Sequence, residues 1–314
     1  MANFSELVPD EKHRVLICCI MGLAESIGTS GFPNYLHTVG YEVDILEWDE
    51  VLNSKGREVS PDIVLTDKNN NHSLVVECKT SKLKKDQIER YNDVKREDLI
   101  DWGISTTDPR QLTHDITLVA SYENGGTFLA TLHQWRCMFP TLQIGLVKIE
   151  KIANEFSRTE LNRMFPITIR LDQAPQYLYP VGRESPDHII MDQILQGLLS
   201  KLYVNESEEF EIALIDIVID VFPHWDTMGT GIREKVFKNC HRVMEVASKS
   251  DKIDKYLEYQ QDKIKFKVQN YKHTRAMQAF QRVGAEYINK LRKDYTQKRL
   301  DYEEWEAKNP EGGE

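Results

Sequence analysis

The stretch that decides the fold is PDIVLTDKNNNHSLVVECKTSKLKKDQIERY, from Pro61 to Tyr91. Two β-rich runs, Asp62 to Thr66 and Ser73 to Lys79, flank the polar segment Asp67 to His72, whose aspartate and asparagines suit a reversing turn. This pattern predicts an antiparallel hairpin. Side chains on a strand alternate faces, so Glu77 and Lys79 point one way and Cys78 the other. Asp62 opens the partner strand, and folding the chain back brings it toward Glu77. Two carboxylates and an ammonium then share one cleft.

Hard oxygen ligands of this kind suit Mg²⁺, which takes one or two carboxylates and completes its shell with water and substrate phosphate. The backbone carbonyl of Cys78 offers a further ligand. A metal held there can polarise a phosphoryl oxygen and activate a water, while Lys79 orients that water, helps deprotonate it or stabilises the developing charge.

Outward from the hairpin, Lys84 to Arg96 is charged and carries Ile88, Tyr91 and Val94 at spacings of three, the mark of a one-sided helix. Upstream, Asp10 to Leu23 reads as a largely buried helix with Glu25 near its C-terminal end, and Tyr41 to Trp48 as a strand. Downstream, Ile116 to Ser121 reads as a central strand, Thr127 to Trp135 as a helix and Gln143 to Ile149 as another strand. The order αβββαβ predicts helices on a mixed sheet. We therefore expect one domain over residues 1–150. Prolines 166, 175, 180 and 186 punctuate a stretch of little periodicity, so 151–186 reads as a linker. Beyond it, Asp187 to Tyr203, Glu209 to Phe222 and Gly231 to Ser248 are helical in pattern, and Lys263 to Val268 is strand-like. A mainly α region over 187–314 follows, compatible with a winged helix or with a helical packing domain. Its last helix, Tyr271 to Glu306, bears a stripe that can dock on the body or pair with a second copy.

Pro61-Asp62, Glu77-Cys78-Lys79 and the following Gln87-Ile-Glu-Arg-Tyr91 resemble the PD-(D/E)xK nuclease superfamily. The resemblance is strongest over residues 61–91 and extends through element order to about residues 10–150. It implies the restriction-endonuclease-like fold and a Mg²⁺-dependent (or Mn²⁺-dependent) phosphodiesterase. In that reading Asp62 and Glu77 bind the metal and Lys79 assists the nucleophile. Gln87 and Tyr91 are similar to the QxxxY element of RecB-like members, which supports the site or contacts nucleic acid. A glutamate from the first helix often joins the ligands, which points to Glu25, with Glu42 or Glu47 as alternatives. DNA is the expected substrate, and restriction or defence against phage the expected setting by analogy. The alternatives are RNA cleavage, or a catalytically silent binding or assembly subunit.

Composition agrees with a soluble protein, with 40% hydrophobic and 29% charged residues among 314. No apolar run nears the roughly 20 residues of a membrane span. Five scattered cysteines without a CxxC pair argue against disulfides and structural zinc, and the N-terminal stretch shows no secretion pattern, so a cytoplasmic location is expected. A net charge of −10 counts against a generic nucleic-acid coat. Local charge has to compensate. Lys82, Lys84, Lys85, Arg90, Lys95 and Arg96 lie beside the site, and Arg233, Lys235, Lys238 and Arg242 fall on the candidate recognition helix.

Overall fold

In the computed structural model, which describes residues 9–26, 31–48, 51–179, 185–204, 210–267 and 274–308, the hairpin read from the sequence sits inside a seven-stranded sheet. The chain divides into two units, Met1–Gly182 with His224–Glu234, and Arg183–Pro223 with Lys235–Glu314.

The first unit begins with helix α1 (Pro9–Ala24), a single turn α2 (Tyr35–Thr38) and strand β1 (Tyr41–Leu46). A two-stranded ribbon, β2 (Val51–Leu52) and β3 (Glu58–Val59), precedes the hairpin strands β4 (Ile63–Asp67) and β5 (His72–Lys79). Helices α3 (Lys85–Asn92) and α4 (Arg96–Asp101) cross to β6 (Thr113–Ser121), and α5 (Gly125–Trp135) leads to β7 (Thr141–Ile144). Strand β8 (Lys148–Ala153), helix α6 (Thr159–Met164) and strand β9 (Ile167–Thr168) follow. The sheet order is β1-β4-β5-β6-β7-β8-β9. Pairing is antiparallel from β1 to β5, parallel for β5 with β6 and β6 with β7, and antiparallel beyond.

Strand β5 is buried at every residue from His72 to Cys78, which explains its unbroken apolar run Leu74-Val75-Val76. On one face Val64 and Val75 join a cluster with Ile88, Tyr91, Leu99, Phe128 and Leu132, the inner sides of α3, α4 and α5. Helix α1, buried continuously from Arg14 to Ala24, packs against β1, β5 and β6. Its apolar side chains all round mark it as a core helix rather than a surface one.

In this unit three stretches differ from their expected form. Lys84 to Arg96 is not one helix: α3 stops at Asn92 and α4 starts at Arg96, because the Asp98 carboxylate accepts the Lys95 amide at 2.8 Å and caps a fresh start. Gln143 to Ile149 is not one strand. It holds the end of β7, a turn over 145–147 closed by the Gly145 N–H on the Lys148 carbonyl at 2.9 Å, and the start of β8. The segment 151–186, expected as a linker, contributes the end of β8, α6 and β9, and Pro175 lies so close to α1 that a Cβ on Gly22 would meet its Cγ at 2.7 Å. Residues 180–184 of that segment lie outside the described residues.

The second unit contains α7 (Asp187–Val204), β10 (Glu211–Ala213), α8 (Leu214–Val221), most of α9 (Thr230–Ser248), β11 (Leu257–Gln260), β12 (Lys263–Phe266) and α10 (Thr274–Lys308). Glu209 to Phe222, read as one helix, splits into β10 and α8, since β10 pairs with β12 in an antiparallel sheet of order β10-β12-β11. Helix α7 packs against α8 and α10. Among the described residues no helix is long and apolar enough to cross a membrane.

Candidate active site

The β4–β5 ladder pairs Ile63 with Val76, so its next rung sets Asp62 beside Glu77. Asp62 Oδ2 accepts the backbone N–H of Cys78 at 2.6 Å, which fixes this carboxylate across the open end of the hairpin. Glu77 projects toward α3, on the same face as Val75. There Gln87 Nε2 donates to its Oε1 at 2.7 Å, the Tyr91 hydroxyl donates to Oε2, and Lys79 Nζ forms an ion pair with Oε1. Asp62, Glu77, Lys79, Gln87 and Tyr91 therefore converge. A helix spacing of four places Gln87 and Tyr91 on one side of α3, where both reach a single carboxylate.

Burial pushes Glu77 up to about 7, with Asp62 adding to the effect and Lys79 and Tyr91 pulling it back. Lys79 is held above its ordinary value: burial works against its charge, but Glu77 and Asp62 outweigh it. The Tyr91 hydroxyl is raised well above its usual range by burial and by Glu77, so it remains a donor.

Two further side chains meet Asp62 from other elements. His13, on the first turns of α1, lies with Nε2 at 3.3 Å from Asp62 Oδ1. Glu47 follows β1, and its amide donates to the Asp62 carbonyl at 2.8 Å. Its backbone is left-handed, with φ of 41°, a conformation costing a non-glycine residue about 1–2 kcal/mol. The Tyr179 hydroxyl donates to Glu47 Oε2 at 2.6 Å. One donor atom each from His13, Glu47 and Asp62 lie within 4.8 Å of one another, a grouping able to hold a metal ion. Burial lowers the His13 pKa, but Asp62 beside it and Glu47 and Glu77 beyond outweigh that and raise it to about 9.

Glu25 stands elsewhere. It follows the end of α1, and its carboxylate accepts from Ser26 and meets His224 Nε2 at 3.2 Å, which lowers its pKa. Glu42 pairs with Lys68 at 3.3 Å. Of the glutamates weighed from sequence, it is Glu47 that joins the cluster. The Cys78 thiol is fully buried and pushed well up by that burial, so it stays protonated. His13 and Tyr179 escaped the sequence reading. A histidine just ahead of the apolar run Val15 to Leu23 was a usable signal for His13, whereas Tyr179, 132 residues from Glu47, gave none.

Much of the nearby positive charge is already engaged. Arg90 pairs with Asp86 and donates to the Glu58 carbonyl, and Arg96 pairs with Glu97 and donates to the Arg110 carbonyl, whereas Lys85 comes no nearer than 3.8 Å to Glu89. On α9, Arg233 donates to the Met228 carbonyl and Arg242 forks onto Asp187, while Lys235 and Lys238 are exposed.

These features define a mixed α/β unit with a carboxylate-rich site at one end of its central strands, followed by a helical unit with a small sheet. Residues 12–179 match the MJECL32 domain, more than half of the chain, and the chain belongs to that family. The matched span contains His13, Glu47, Asp62, Glu77, Lys79, Gln87, Tyr91 and Tyr179. Residues 186–303 match a domain of unknown function, DUF8601. Over 286 residues the chain is 24% identical to the uncharacterized protein MJECL32 of Methanocaldococcus jannaschii, covering 83% of this chain and 64% of that relative. No solved structure matches.

Proposed function

We propose that this protein is a metal-dependent nuclease of restriction-endonuclease-like fold that cleaves DNA. The observation that carries the reading is the position of Asp62 between two sets of groups. On one side stand His13 and Glu47, and on the other Glu77 with Lys79. The donor set of two carboxylates and an imidazole fits a divalent cation, with Mg²⁺ suited to the oxygens and the imidazole favouring Mn²⁺ somewhat. His13, Glu47 and Asp62 would hold it, with Glu77 adjoining. When bound, such an ion supplies Lewis acidity toward a phosphoryl oxygen and acidifies a water.

The remaining steps belong to the chain. Lys79 keeps its proton at neutral pH, so it stabilises negative charge on the phosphoryl group and donates hydrogen bonds rather than abstracting a proton. Glu77, raised to about 7, is matched to accepting a proton from the attacking water near neutrality. Gln87 and Tyr91 hold its two oxygens in a fixed plane. The order α7-β10-α8-α9-β11-β12, with its three-stranded antiparallel sheet, supports a winged-helix reading of the second unit, with Lys235 and Lys238 on α9 available to phosphates.

The test incubates wild type and Lys79→Ala with supercoiled plasmid, single-stranded DNA and RNA, each with Mg²⁺ or Mn²⁺. Wild type should cut DNA, and Lys79→Ala should lose about two orders of magnitude in rate or more. Equal cleavage by both, or none by wild type with any substrate, overturns the proposal.

A further inference from the structure

Away from the candidate active site, α3 presents a second face. Lys85, Ile88, Glu89 and Asn92 repeat at spacings of three and four and form one wall of a cavity of about 420 Å³. The loop between β2 and β3 supplies Lys55 and Arg57, and the end of α5 supplies Trp135 and Arg136. The volume falls within the roughly 300–1,000 Å³ of small-molecule sites.

Four cations line this cavity against two carboxylates. Asp93 binds both Lys55, at 2.6 Å, and Arg57, so one acid is shared by two bases, and Arg57 Nε is buried without a hydrogen-bond partner. Lys85 reaches Glu89 only at 3.8 Å. Arg136 is exposed and makes no ion pair among the described residues. Its backbone is left-handed, with φ of 52°, at the end of α5 where its amide reaches the His133 carbonyl. Glycine fills such a helix end at least cost. Arginine there accepts strain and places a guanidinium at the cavity wall. Trp135, half-buried beside it, exposes part of a flat indole.

We infer that this cavity is a binding site for a nucleotide, its base stacked on Trp135 and its phosphate held by Arg136 and Lys85. Positive charge in excess of acid, an aromatic plane and a concave, open-mouthed pocket occur together. The site is separate from Asp62 and Glu77, since Gln87 and Tyr91 leave α3 on another side, and the inference does not depend on the nuclease reading.

Calorimetric titration of the full chain with AMP, adenosine and inorganic phosphate tests it. AMP should bind with one-to-one stoichiometry, and phosphate should compete. Arg136→Gly suits the left-handed backbone and so keeps the fold; it should weaken AMP by about tenfold or more while leaving adenosine unchanged. Lys79→Ala should bind AMP as wild type does. The inference is overturned if AMP does not bind at millimolar concentration, if Arg136→Gly binds it undiminished, or if Lys79→Ala abolishes binding. It is equally overturned if a short single-stranded oligonucleotide binds in the same titration and AMP does not, which would make the cavity part of a strand path.

Discussion

Replacing Glu77 by glutamine should stabilise the protein at alkaline pH while removing any cleavage. Glu77 is almost fully buried, and its carboxyl is raised from 4.5 to about 7. Between those values the folded state holds a proton that the unfolded chain has released, so stability falls as pH rises through this window. At about 1.4 kcal/mol per unit of pKa, the loss by pH 8 is about 3 kcal/mol. Glutamine mimics the protonated carboxyl and avoids that loss. Its hydrogen bonds can be satisfied: the amide oxygen accepts from Gln87 and Lys79, and the amide nitrogen donates to the Tyr91 hydroxyl, which turns its proton to the Ser60 carbonyl at 2.9 Å. Urea denaturation followed by circular dichroism, with chelator present, should show Glu77→Gln more stable than wild type by about 3 kcal/mol at pH 8 and indistinguishable from it near pH 4.5. A variant less stable than wild type at pH 8, or one with the same gain at both pH values, refutes the reasoning.

Glu47→Gln should weaken Mn²⁺ binding by about tenfold or more, whereas Glu25→Gln should leave it unchanged; calorimetry on both variants separates the two glutamates. His13 carries a proton up to about pH 9 that a metal must displace, so Mn²⁺ affinity should climb with pH toward 9, and His13→Gln should flatten that climb. Gly197→Ala should destabilise the second unit by about 1–3 kcal/mol, because the added Cβ would meet Val221 Cγ1 at 2.5 Å and Ile217 Cγ2 at 2.8 Å; thermal unfolding would measure it.

The parts of the fold legible in the sequence are those governed by local periodicity. The β4–β5 hairpin and helices α1, α7 and α10 follow from alternation, turn residues and apolar spacing over many consecutive positions. What escaped was set by one distant or brief contact. Asp98 capping Lys95 breaks a helix that Ile88, Tyr91 and Val94 would otherwise continue. Three residues of β10 become a strand only because β12 lies alongside. In the site, Asp62, Glu77, Lys79, Gln87 and Tyr91 lie within one local stretch and could be named together. His13 and Tyr179 arrive from either end of the matched family span, and no spacing rule links them to Asp62.

The first unit takes back residues His224–Glu234 after the chain has entered the second. Within that return, His224 meets Glu25, the Thr227 carbonyl accepts from the Trp48 indole at 3.2 Å, and Met228 bridges to Leu46 at the end of β1, one residue before Glu47. The matched family span stops at residue 179 and does not include it. A gene truncated near codon 182 would thus encode the cluster residues but omit the segment that braces the strand leading to Glu47. Exchange of the second unit between relatives would need two joints rather than one, so recombination should tend to move both units together.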